Sequence, residues 1–60
     1  MHIIEAQRAA SRVYLTLRGW TDQRMNAHRF SDIQTAMLVM SALQNEFQSL
    51  EFDQVIVTEA

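Results

Sequence analysis

Ser31-Asp32-Ile33-Gln34-Thr35-Ala36-Met37-Leu38-Val39-Met40, continuing through Ser41-Ala42-Leu43-Gln44-Asn45-Glu46-Phe47-Gln48-Ser49-Leu50, is the stretch on which the fold turns. Ile33, Ala36, Met37, Met40, Leu43, Phe47 and Leu50 recur at helical spacing. On a helical wheel they share an arc of about 140°, the width of a stripe that lies on a core. Val39 joins the edge of that arc, while Gln34, Ser41, Asn45, Glu46 and Ser49 take the opposite side. Ser31 and Gln34 stand at the spacing of a capping box, and Asp32 would complement the dipole in the first turn. The pattern predicts one amphipathic helix over residues 32–50.

Strands flank it. Arg12 to Arg18 alternates, with Val13, Leu15 and Leu17 expected inward and Arg12, Tyr14, Thr16 and Arg18 expected on a wet face. Gly19, the single glycine, marks a turn with Trp20 at its tip, and Met25–Phe30 is expected to return as a weaker strand. Phe52–Thr58 carries Val55-Ile56-Val57, whose two apolar faces suggest an interior strand or a face covered by another chain. Met1–Ala6 is expected as a strand because Ile3-Ile4 is β-branched and Ala9-Ala10-Ser11 suits a turn, although Glu5–Ala10 would also accept a helical turn.

The expected class is therefore α+β. An antiparallel sheet of three to four strands carries one helix on one face, in the order β-β-β-α-β, or β-β-α-β if residues 1–10 are helical. Sixty residues make a single domain, 1–60. At this size folding buries only about 60% of the unfolded chain's surface, so the core is thin. Val13, Leu15, Leu17, Ile33, Met37, Met40, Leu43, Phe47, Val55 and Val57 are the expected core.

Composition narrows the chemistry. Without cysteine there is no disulfide framework, no thiolate nucleophile and no usual structural zinc site. With one glycine, neither a phosphate-cradling loop nor a nucleophile elbow can be built. His2 and His28 are too few for a typical metal site, and Glu51 with Asp53 sits at a strand mouth where carboxylates are usually solvated. No catalytic residue, cofactor or metal is expected, and a non-enzymatic protein is the reading. The opening residues lack a basic-then-apolar leader, and Met37–Met40 is far too short to span a bilayer, so a cytoplasmic chain without a membrane partner is expected.

Charge is unevenly placed. Residues 1–31 hold all five arginines and two acids, a balance of +3, whereas residues 32–60 hold five acids and no base, a balance of −5. Trp20, Tyr14 and the arginines are residue types that dominate interfaces, and Leu38 interrupts the polar helix face. Arg12, Tyr14, Arg18, Trp20, Arg24, Arg29 and Leu38 are thus the candidate partner-binding residues. The favoured expectation is a protein-binding module, a small regulator of phage or mobile-element type that inhibits a host protein by occupying its surface. A homodimer joining the basic half of one chain to the acidic half of another is part of that expectation. The alternative is a nucleic-acid binder using an arginine-bearing sheet face. The order β-β-β-α resembles, in topology alone, DNA-binding domains of certain plant transcription factors and of integrase arms.

Overall fold

The computed structural model describes residues 1–60 and has the expected α+β class. Strands β1 (His2–Arg8), β2 (Ser11–Thr16) and β3 (Gly19–Thr21) form a meander. A short 3-10 turn at Arg24–Asn26 and an extended segment lead to helices α1 (Ile33–Ala42) and α2 (Gln44–Ser49), and β4 (Gln54–Glu59) closes the chain. The sheet order is β3-β2-β1-β4, with every neighbouring pair antiparallel.

The central strand is β1, as an apolar pair buried on both sides requires: Ile3 and Ile4 are both fully buried. The interior role suggested for Val55-Ile56-Val57 does not hold, because β4 lies at the sheet edge and Ile56 is exposed. Ile4, Ala6 and Leu15 are buried on the face that meets the helices, with Val13, Trp20, Val55 and Val57 half-buried beside them. Ala36, Val39 and Met40 of α1, Leu43 at the junction of the helices and Phe47 of α2 come down onto them. Trp20 meets the edges of Phe52 and Phe47 at 4.8 and 5.6 Å between ring centroids, so it packs inside an aromatic group rather than standing at a hairpin tip.

The expected returning strand at Met25–Phe30 is absent. Instead, residues 28–30 occupy the gap where β1 and β2 diverge beyond the Glu5–Tyr14 pair. His2 and Phe30 exchange both backbone hydrogen bonds, at 2.7 and 2.8 Å, and His28 N–H donates to the Leu15 carbonyl at 2.9 Å. Ala27 packs with Ile3 and Tyr14 on one side of the sheet, whereas Phe30 packs with Ile4, Leu15 and Ala36 on the other. The chain thus threads from the underside of the sheet to the helix side.

Tyr14 is accordingly buried, only 8% exposed, against the expectation that it lay on a wet face. Leu17 is 83% exposed against the expectation that it joined the core. The alternation stops at Thr16, whose Oγ1 donates to the Gly19 carbonyl and accepts the Arg18 N–H, forming a local turn. Gly19 adopts φ +130°, a conformation side chains rarely tolerate.

The helix also differs from the single element expected. Leu43, with φ −97° and ψ 8°, interrupts it between α1 and α2. Asp32 rather than Ser31 is the N-cap: its Oδ1 accepts the Gln34 N–H at 3.0 Å, which also places the carboxylate at the positive end of the dipole. Ile33 and Met37 are exposed rather than core, because they stand at the margin of the apolar stripe.

Candidate protein-binding surface

The underside of the sheet decides what the arginines do. Glu5 lies near its centre, with Arg12 Nε 3.9 Å from one carboxylate oxygen and Arg24 Nη1 3.5 Å from the other. Arg24 also spans the Tyr14 ring, its guanidinium carbon 5.9 Å from the centroid, and donates to the Glu59 carbonyl. Arg8 donates to the Leu50 carbonyl at 3.0 Å. Arg12, Tyr14 and Arg24 are thus brought together, but around an acid of their own chain. Arg18 and Arg29 form no ion pair and instead flank a shallow cleft with Asn26 and His28.

The histidines do not converge on a ligand: no group of three metal-ligating side chains assembles, and the His28 ring stands edge-on to Phe30 at 4.7 Å. Glu51 and Asp53 do not share a strand face. Glu51 sits in the left-handed region at φ 59° after α2, and Asp53 accepts the Ala9 N–H at 2.8 Å. No helix is long and apolar enough to cross a membrane.

Leu38 stands out from α1 at 70% exposure, as its place on the polar face implied, and Met37 joins it at 53%. Beside Met37 a cleft of about 400 Å³ opens between the helices and the sheet edge. It is lined by Met37, Met40, Phe47, Phe52 and Val55, with amide and hydroxyl groups from Gln44, Gln48 and Ser41 at its rim. No charged side chain enters that lining.

Val55 belongs both to the cleft and to the open edge of β4. In antiparallel pairs the residues of a strand aim their backbone groups alternately to one side and the other. His2 spends its own on Phe30, so the odd-numbered residues of β1 serve β4, and Ala60 N–H accordingly donates to the Met1 carbonyl. The pairs Ile3–Thr58, Glu5–Ile56 and Gln7–Gln54 therefore carry the ladder. Val55 and Val57 turn their N–H and C=O groups to the open edge, where no strand receives them.

This edge escaped the sequence reading. The signal available was the dense β-prone run of Val55-Ile56-Val57, but sequence alone did not say which strand would be outermost. No protein-family model, curated protein or solved structure matches this chain.

Proposed function

We propose that the chain is a non-enzymatic protein-binding module, a small cytoplasmic regulator that acts by occupying a partner protein. It captures an extended segment as an added strand on β4. The observation that carries this reading is the juxtaposition of an unpaired strand edge with an apolar cleft through the shared residue Val55. Strand addition draws affinity from main-chain bonds and specificity from pockets for alternate side chains, and both elements are present. Soluble proteins usually blunt a free edge with lysine, proline or a bulge, yet β4 carries neither lysine nor proline. Leu38 and Met37 extend the apolar contact beyond the cleft.

Val57→Pro tests it. Proline is tolerated on an edge strand whose N–H faces outward, so the substitution deletes a docking donor and leaves the β1–β4 ladder intact. In affinity capture from nuclease-treated lysate, the variant should keep its circular dichroism spectrum and lose the protein retained by the parent. Retention of the same protein at the same yield would sink strand addition.

A nucleic-acid reading keeps one supporting observation, the two unpaired arginines Arg18 and Arg29 beside one cleft. It predicts a capture product that disappears with nuclease and binding that falls steeply with salt. Glu5 among Arg12 and Arg24 opposes it, because a phosphate brought there would meet a carboxylate.

A further inference from the structure

Independently of the β4 edge, we propose that the cleft between the β2–β3 turn and residues 26–29 binds a dianionic phosphate group. The ligand class is inorganic phosphate or the terminal phosphate of a small phosphomonoester, held between Arg18 and Arg29.

The five arginines divide into two sets. Arg12 and Arg24 lie beside the Glu5 carboxylate, Arg24 also donates to the Glu59 carbonyl, and Arg8 donates to the Leu50 carbonyl. The guanidinium groups of Arg18 and Arg29 have neither an ion pair nor a hydrogen bond within the chain, and both residues line this one cleft. Thr16, Leu17, Asn26, Ala27 and His28 complete the lining, so no acid enters it.

Backbone bonds hold both walls. Thr16 Oγ1 donates to the Gly19 carbonyl and accepts the Arg18 N–H, which fixes the turn carrying Arg18. His28 N–H donates to the Leu15 carbonyl, and Phe30 exchanges two bonds with His2, which fixes the segment carrying Arg29. Ordering the two arginine side chains is then the main entropic cost of binding.

The available groups are donors. The Asn26 amide offers two N–H groups, and the His28 imidazole offers at least one in either protonation state. The backbone N–H groups of Leu17 and Arg29 find no backbone acceptor. Guanidinium forks match phosphate oxygens bidentately. Two guanidinium charges balance a phosphomonoester, which carries close to two negative charges near neutral pH. A phosphodiester carries only one charge per group, and a long one must also approach a molecule of net charge −2.

The test records amide spectra of the full chain at about pH 7.5, where a monoester is a dianion, and at constant ionic strength. The probes are inorganic phosphate, glycerol phosphate, dimethyl phosphate and a thymidine oligonucleotide. Inorganic phosphate and glycerol phosphate should shift Arg18, Asn26, His28 and Arg29 along one saturable curve. Equal affinities would make the phosphate alone the ligand, and tighter glycerol phosphate would make it a small ester. Dimethyl phosphate should bind about fivefold more weakly, having half the charge. Arg18→Gln and Arg29→Gln should each weaken phosphate about fivefold, the loss of one charge-assisted contact at an exposed site. Their thermal melts should match the parent, since neither guanidinium bonds within the chain. Arg12→Gln removes the same charge elsewhere and should change the affinity by less than about twofold. Shifts that rise without saturating, or an equal loss from Arg12→Gln, would reduce the effect to general charge and overturn the site. Tighter binding of the oligonucleotide, per phosphate, than of inorganic phosphate would assign these arginines to a nucleic-acid backbone and overturn the dianion.

Discussion

The Ala9 N–H donates to the Asp53 carboxylate at 2.8 Å, tying the turn between β1 and β2 to the residue that leads into β4. Ala9 holds φ 54°, a left-handed conformation unfavourable for alanine, so this bond secures a strained turn at the point where the edge strand begins.

Asp53→Ala should lower stability by about 1 kcal/mol, the usual worth of a hydrogen bond between a charged acceptor and a backbone donor at a partly solvated site. Asp53→Asn, which keeps an acceptor oxygen, should lose less than half of that. Urea denaturation with an unchanged slope is the measurement, and equal losses for both variants would discount the bond.

Ala9→Gly should stabilise by about 0.5–1 kcal/mol, because the folded turn loses its Cβ strain by more than the unfolded chain gains in freedom. Glu51→Gly should act alike, since Glu51 occupies at φ 59° the position after α2 where glycine is preferred. The double variant is worth making, because both sites are linked to the approach of β4 and their effects need not add. A fall in melting temperature for either single variant contradicts the assignment.

Asp32→Ala should cost about 1 kcal/mol and reduce helical ellipticity, whereas Ser31→Ala should change stability by less than about 0.5 kcal/mol. The reverse order would make Ser31 the cap.

Ile4→Ala should cost about 2–4 kcal/mol, because it empties a fully buried site in the central strand. Leu17→Ser should be close to neutral, within about 0.5 kcal/mol, since that leucine is solvent-exposed. Thermal melts of the two variants separate the observed core from the one that simple alternation implies.

Legibility in the sequence followed the range of the interactions. The α+β class, the helix near residues 32–50, β2 and the terminal strands rest on local periodicity, and the structure has them. Leu15, Phe47, Val55 and Val57 do face the shared core. Leu17 was misplaced because Thr16 ends the strand with its own side chain, a competition that a wheel or an alternation does not register. Tyr14 was misplaced because Ala27, thirteen residues on, covers the underside it faces. Among the candidate residues, the exposure of Leu38 was readable from its place in a polar row. The Glu5 carboxylate that sits between Arg12 and Arg24 was not readable, because its position depends on the register of β1 against β2.

The placement of β1 has a kinetic corollary. Its hairpin with β2 closes over two residues, a microsecond-scale event, but its other edge is completed by β4 with nearly the whole chain intervening. Loop-closure entropy must be met before that pairing is rewarded, so the last sheet contact sets the folding rate. Until it forms, Ile3 and Ile4 lie along an open ribbon, the species most prone to self-association during synthesis and refolding. Dilute, rapid refolding should therefore recover more native protein than slow dialysis at high concentration.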